Sequence, residues 1–242
     1  MRYGIFSDVH SNLEALDAVL EAYKSESIDK YLCIGDIVGY AVNPAECFEK
    51  IKSRAAVTVA GNHDWAASGK LSIEYFNPYA AAAINWTVGI LTAAQKEFLS
   101  SLELVFSCEH LTLVHGTLDN PAEFDYLFDI TQARQDFLHL RTALMFVGHT
   151  HVPAAYVKEK DRVSEIPATK TVTVKPDNQY IINIGSVGQP RDNNPKASYS
   201  IYDTEKKEIL IKRVDYDKEM TRRKIIDAGL PVFLGDRLLS GT

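Results

Sequence analysis

Leu144-Met145-Phe146-Val147-Gly148-His149-Thr150-His151 is a run of four apolar residues, a glycine, and two histidines one residue apart. The apolar run reads as a strand buried on both faces, the kind found in parallel sheets. Its exit through Gly148 puts two imidazoles at the mouth of that strand. The same pattern recurs upstream. "YGIF" exits through Ser7 into Asp8-Val9-His10, and "YLCI" exits through Gly35 into Asp36. "VTVA" exits through Gly61 into Asn62-His63-Asp64, and "LTLV" runs directly into His115-Gly116. Five apolar runs end in oxygen or imidazole donors. In α/β sheets ligands collect beyond the carboxyl ends of strands, so parallel neighbours would bring all five exits together. The glycines at 35, 61, 116 and 148 are expected to let the backbone turn sharply and approach a small site.

Working outward, helical patterns separate these runs. "NLEALDAVLEAYKSE" carries Leu13, Leu16, Val19, Leu20 and Tyr23 at helical spacing. "NPAECFEKIKS" starts with Asn43 as N-cap and Pro44 at its first position. Residues 78 to 101 read as two helices, the second capped by Thr92, and residues 130 to 140 as another. "ELVFSCEHLTLVHG" reads as two adjoining strands with a turn near Cys108 to His110. From Val152 the character changes. "PAAYVKE", "TKTVTVKP", "QYIINIG", "ASYSIYDT" and "EILIKRV" are short alternating runs with turn chemistry between them. They predict a second, mostly antiparallel sheet, followed by a terminal helix, "KEMTRRKIIDAG", and a tail over about 217–242. The order predicts an α/β protein of two packed sheets with helices outside. No repeat or linker interrupts it, so residues 1–242 read as a single domain.

Composition narrows the function classes. The 242 residues are 46% hydrophobic and 24% charged, which suits a globular protein with a sizeable core. No run reaches the roughly 18 apolar residues of a membrane span, and "MRYGIFSDVH" is no secretory signal, so a cytoplasmic location is expected. Cys33, Cys47 and Cys108 lack ligand-like spacing and read as buried, reduced thiols. The net charge of −6 argues against long nucleic acid, which needs a basic track, and leaves room for a small anionic substrate.

Asp8, His10, Asp36, Asn62, His115, His149 and His151 are too many donors for one ion and suit two. A nitrogen and oxygen set without thiolate favours manganese, iron or zinc over calcium or magnesium. Asp36 leaves a central strand, where its carboxylate could bridge both ions. His110 and His139 fall outside the pattern and read as structural or surface residues.

In this order, "DVH", "GD", "GNHD", "HG" and "GHTH" resemble the calcineurin-like metallophosphoesterases over about residues 1 to 190. The resemblance implies a four-layer α-β-β-α sandwich with two mixed sheets and a dinuclear site holding two divalent ions, manganese first, with iron, zinc or nickel as alternatives. It implies Asp8, His10, Asp36 and His151 on one ion and Asp36, Asn62, His115 and His149 on the other, with His63 as the catalytic histidine. "NIGSVGQPR" from Asn183 and "KRVDYD" look most similar to a small bacterial and archaeal branch of phosphodiesterases and dinucleoside tetraphosphatases. Asp36 is followed by Ile37-Val38-Gly39-Tyr40 rather than "GDxVDRG", which makes a phosphoprotein substrate less fitting.

The implied reaction is phosphodiester or phosphoanhydride hydrolysis by a metal-bound hydroxide, with the ions clamping the phosphoryl oxygens. His63 would protonate the leaving oxygen or stabilise transition-state charge, with Asp64 as a candidate to orient it. Arg191 offers a fork suited to a phosphate oxygen of the substrate. Phe124, Tyr126 and Phe128 could stack on a nucleobase, while Asp119, Glu123 and Asp125 would discourage a highly charged substrate. Two other readings are a non-catalytic scaffold on the same fold and a nuclease. His63 and all seven donors weigh against the scaffold, and the acidic charge weighs against the nuclease.

Overall fold

The computed structural model describes residues 1–168 and 171–242. Its strands are β1 (Arg2–Phe6), β2 (Lys30–Cys33), β3 (Ala55–Thr58), β4 (Val105–Ser107), β5 (Leu111–Val114), β6 (Leu144–Val147), β7 (Ala154–Glu159), β8 (Arg162–Ile166), β9 (Val172–Thr173), β10 (Asn178–Asn183), β11 (Ala197–Asp203) and β12 (Glu208–Val214). Its helices are α1 (Leu13–Lys24), α2 (Pro44–Arg54), α3 (Asn62–Ser68), α4 (Pro78–Ile90), α5 (Ala93–Ser101), α6 (Ile130–His139), α7 (Lys218–Asp227) and α8 (Val232–Ser240).

Two mixed six-stranded sheets result, ordered β3-β2-β1-β11-β12-β9 and β4-β5-β6-β10-β7-β8. The side-chain period of two sorts each strand between layers. Ile5 and Phe146 point inward and join Leu32, Leu113 and Ile182 in the core between the sheets. Phe6 points outward to meet Leu16 and Val19 of α1 and Phe48 of α2. Met145 and Val147 point out the other way, onto Ala133 and Phe137 of α6. The layers are therefore helix, sheet, sheet, helix. Each large apolar side chain buried in them contributes about 1.5–3 kcal/mol of transfer free energy.

The late strands do not form a sheet of their own. β11, β12 and β9 extend the first sheet, with β11 antiparallel to β1 from the Arg2–Asp203 pair to the Ile5–Ser200 pair. β10 lies parallel to β6 and carries β7 and β8 into the second sheet. Each early parallel set thus gains antiparallel strands at one side. Local alternation marks a strand but not its partner, and this pairing spans most of the chain.

Smaller expectations also change. "RVSEI" forms β8. In "TKTVTVKP" the strand is Val172–Thr173, and the first two residues of that stretch lie outside the described residues. The tail contains α8, begun after Pro231 and closed by Gly241 in the left-handed region. Cys33 and Cys47 are buried free thiols, but Cys108 is exposed in the β4–β5 turn. Thr92 caps α5 in a reciprocal box with Gln95 as expected. Asn43 stands at the N-cap of α2, but its amide donates to Glu46 instead of its oxygen accepting a backbone N–H. No described helix is long and apolar enough to cross a membrane.

Candidate metal centre

In the first sheet β1, β2 and β3 run parallel, and in the second β5 and β6 do. Their carboxyl ends meet at the seam between the sheets. Asp8, His10 and His151 bring one ligand atom each within 4.8 Å of one another, and Asp36, His115 and His149 do the same. The Nε2 atoms of His10 and His151 face each other at 3.0 Å. His151 Nε2 lies 3.2 Å from Asp8 Oδ1, and His115 Nε2 lies 3.2 Å from Asp36 Oδ2. His10 Nε2 is 3.6 Å from that same Asp36 oxygen, so Asp36 stands between the two groups.

The tautomers favour a cation. Nδ1 of His10, His115 and His151 donates to the carbonyls of Val38 (3.1 Å), Ile34 (2.7 Å) and Gln189 (2.6 Å). A ring that donates from Nδ1 keeps its Nε2 lone pair for an electrophile. Asp36 Oδ2, Asn62 Oδ1 and His115 Nε2 are buried without any hydrogen-bond partner. Such orphans are costly unless something positive or donating joins them. The titration behaviour agrees. Burial raises the carboxyl of Asp8, but His151 and His115 outweigh it and bring it well below the ordinary range. Asp36 is lowered likewise by His115 and His63 against the cost of burial. Burial opposes charge on His115, yet Asp36 and Asp8 raise it to about 10. Two buried carboxylates thus demand positive charge, and a proton on His115 supplies it where a cation would. The residues present fit divalent ions.

The backbone is bent for this arrangement. Asp8, His10, Asp36, His149 and His151 all have left-handed φ, between 50° and 66°. Non-glycine residues avoid that region, and such strain clusters where side chains must converge. Among the four glycines of the exits, only Gly35 has a positive φ. Gly148 serves by close approach instead, since a Cβ there would collide with Asp8 Oδ2 and Ser7 Oγ.

His63 opens α3, and its N–H donates to Asp36 Oδ1 at 2.9 Å, which leaves Oδ2 free. Its ring packs against Tyr40 (4.6 Å), His10 (4.8 Å) and Phe76 (5.2 Å). Gly39, at φ +99°, makes room for it, because a Cβ there would strike His63 Nδ1. Burial holds the His63 imidazole well below its usual pKa, although Asp36 opposes this. Asp64 does not orient His63. Its carboxylate accepts N–H bonds from Ile37, Val38 and Gly61, pinning the β2 and β3 exits together. His110 and His139 are exposed and remote, His139 pairing with Asp119 at 2.7 Å.

The end of β10 and the segment that follows it brace the seam. Asn183 donates to Gly148 O, and Ser186 Oγ and Gly188 N–H both donate to Asp8 O. Arg191 follows, its guanidinium donating to Gln189 Oε1 (2.8 Å) and to the Tyr40 hydroxyl (3.2 Å).

Residues 1–207 match the model of the calcineurin-like phosphoesterase superfamily domain. The chain belongs to this superfamily. An uncharacterized protein of Methanocaldococcus jannaschii is 40% identical over 241 residues, covering 98% of this chain and 97% of that protein. The crystal structure of a metallophosphoesterase from Sphaerobacter thermophilus is 38% identical, with a TM-score of 0.88, over 100% of this chain and 99% of that one. A hypothetical protein of Pyrococcus horikoshii shares the fold at 20% identity and a TM-score of 0.79, over 100% and 98% of the two chains.

The donor cluster opens onto a cleft of about 540 Å³, lined by Asn62, His63, His149, Tyr40, Phe76 and Glu123 among others. Tyr40 is the site residue that sequence reading missed. It is an aromatic among small residues after "GDIVG", and nothing local says that it would wedge between His10, His63 and Arg191. The aromatics after His115 divide. Phe124 is buried against Trp65. Tyr126 lies parallel to His149 at 4.0 Å, and Phe128 stacks on Tyr126 at 4.9 Å with 62% of its surface exposed.

Proposed function

We propose that this chain is a divalent-metal-dependent phosphohydrolase that cleaves a small phosphodiester or a nucleotide phosphoanhydride, acting in the cytoplasm. The observation that carries this reading is the seam cluster itself: carboxylate and imidazole donors from both sheets, three imidazoles fixed with Nε2 inward, and orphaned oxygens on Asp36 and Asn62. Asp8, His10, Asp36 and His151 would hold one ion, and Asp36, Asn62, His115 and His149 the other. The mixed imidazole and carboxylate donors suit manganese, iron or zinc, and manganese is proposed first. When bound, two such ions neutralise phosphoryl oxygens and lower the pKa of a bound water.

The protein's own residues supply the rest. Arg191 is held at the cluster by Gln189 and Tyr40, where its remaining N–H groups can meet a non-bridging phosphoryl oxygen. His63 is kept neutral in the free protein by burial. An arriving phosphate anion favours its protonated form, so His63 gains the proton it hands to the leaving oxygen as the substrate binds. Glu123 on the cleft wall penalises a dianionic monoester more than a monoanionic diester.

A panel with added Mn²⁺ tests the reading: bis-p-nitrophenyl phosphate, p-nitrophenyl phosphate, cyclic nucleotides, a dinucleoside tetraphosphate and single-stranded DNA. Diester or anhydride turnover is expected to exceed monoester turnover. A clear preference for p-nitrophenyl phosphate over its bis ester, or for long DNA, would contradict it.

A further inference from the structure

The last turn of α8 folds back toward the donor cluster. Gly241 closes that helix, and its carbonyl accepts the Asn193 N–H at 2.8 Å. Asn193 stands two residues after Arg191, whose own N–H donates to the His151 carbonyl at 3.2 Å. On its inner face α8 sets Leu234 and Leu238 into one buried group with Tyr40. Arg237 lies between these two anchors, one turn before Gly241, and so arrives beside Arg191 and Tyr40. Two guanidinium groups thus stand together at the edge of the cluster, Arg191 against it and Arg237 beyond. Their acidic neighbours in sequence face elsewhere, since Asp192 pairs with Arg213, and Asp236 with Arg222 at 2.6 Å. Among the described residues neither Arg191 nor Arg237 forms an ion pair with a side-chain carboxylate. Both forks are nevertheless held in place. Arg191 Nε and Nη2 meet Gln189 and Tyr40, and Arg237 Nε donates to the Thr242 carbonyl at 2.5 Å. Arg191 Nη1 and both Nη atoms of Arg237 take no protein partner, and none of the three is among the buried atoms left without one, so all three are open to solvent. Each guanidinium also lies over an aromatic ring, Arg191 over Tyr40 (5.7 Å) and Arg237 over Phe233 (5.2 Å). Like charges drawn together and partly desolvated are costly unless an anion joins them. Burial and the Arg191 charge accordingly lower the Arg237 pKa to about 10, with Tyr40 opposing. An oxyanion that meets two such forks is held by charge and by direction at once, as phosphoryl oxygens are.

We infer that Arg237 and Arg191 form a subsite for a second phosphoryl group, the one bonded next to the phosphoryl group held at the donor cluster. Arg191 adjoins both positions, so a substrate seated at the cluster reaches Arg237 with its next phosphoryl group. This rests on the phosphohydrolase reading, and it narrows the substrate class to a phosphoanhydride rather than a simple diester, which has no second phosphoryl group to offer.

Calorimetric titration of the full chain in Mn²⁺ with α,β-methylene-ADP and with AMP tests it. The analogue carries its second phosphoryl group on a bridging carbon that resists hydrolysis, and the shared adenosine cancels in the ratio. The analogue is expected to bind at least about tenfold tighter than AMP, the scale of hydrogen bonds between charged groups. Arg237→Gln, which can still donate to Thr242, should cut that advantage about tenfold. Arg237→Lys keeps the charge without the fork and should fall between the two. Arg222→Gln removes a charge that Asp236 already neutralises and should leave the ratio at its wild-type value. Equal affinities in the wild type, an unchanged ratio in Arg237→Gln, or an equal loss in Arg222→Gln would overturn the subsite. Inorganic phosphate, titrated alike, separates a substrate group from a free ion. Phosphate weakened by Arg237→Gln beside an unaltered nucleotide ratio would assign the arginines to free phosphate and overturn the substrate assignment. The same preparations are assayed on bis-p-nitrophenyl phosphate, which holds one phosphorus. Hydrolysis of that ester with no preference for the analogue refutes the subsite alone. A preference that depends on Arg237, without hydrolysis of any phosphoester, refutes the phosphohydrolase reading and leaves the anion site standing.

Discussion

The two sheets contribute differently to the seam. The first sheet delivers both carboxylates of the cluster, Asp8 and Asp36, together with His10 and His63. The second delivers only imidazoles, His115 after β5 and His149 and His151 after β6. Neither set is a site alone. Without the opposing imidazoles, the first sheet would bury two carboxylates against each other. The second would bury the rings of His115 and His151 with their inward Nε2 atoms unpaired. Sheet packing brings charge and lone pairs together, and the end of β10 with the segment that follows it ties Asp8 and Gly148 across the join. Folding of the sandwich and assembly of the site are thus one event, and cation binding should stabilise the packed sheets.

The largest expected break in this arrangement is Asp36→Asn. It neutralises the carboxylate whose Oδ2 both His10 and His115 approach, so both ions should weaken. Turnover of bis-p-nitrophenyl phosphate should fall by more than about 10³-fold, since bound ions supply several kcal/mol of charge stabilisation. Retained turnover would show that Asp36 is not shared. His63→Ala sharpens the contrast within the first sheet, because His63 is proposed to act without holding metal. Its turnover should drop about 10²- to 10⁴-fold while both ions stay bound, and the loss should be smaller for a p-nitrophenolate leaving group than for a ribose alkoxide. His63 also approaches His10 and Asp36, so metal loss in this variant would reassign it as a ligand.

Stability tests the seam from below. Phe146→Ala empties part of the core between the sheets and should cost about 3–5 kcal/mol, seen as a midpoint shift on chemical unfolding. A shift as small as that of an exposed control such as Leu138→Ala would mean that the sheets do not depend on that contact. The smallest effect lies outside the cluster. Burial raises Asp136 to about 6 from 3.8. The folded protein then binds a proton that the unfolded chain has already released, so this group's contribution is complete below about pH 4 and declines as pH rises toward 6. Asp136→Asn should flatten the melting temperature across that window, and an unchanged slope would assign the pH dependence to other groups.

The cluster was legible in the sequence because each of the five exits follows a largely apolar run, which makes the donors after it conspicuous. The α8 helix was harder to see. Pro231 and Gly241 frame it and Leu234 and Leu238 share a face, but Gly235 interrupts the pattern. That glycine lets α8 approach α7, since a Cβ there would press on Arg222. Strand partners were illegible for a different reason. "ASYSIYDT" alternates equally well beside any strand, and only the folded topology sets it next to β1. Tyr40 gave no local signal, because its partners His10, His63 and Arg191 come from separate segments of the chain.

The central claim is that the seam holds two divalent ions per chain. Elemental analysis of the purified, fully active protein, with turnover measured on the same sample, tests it most directly. The account predicts two ions per chain and a loss of turnover on chelation that Mn²⁺ restores. Full activity with one ion or none per chain would contradict it.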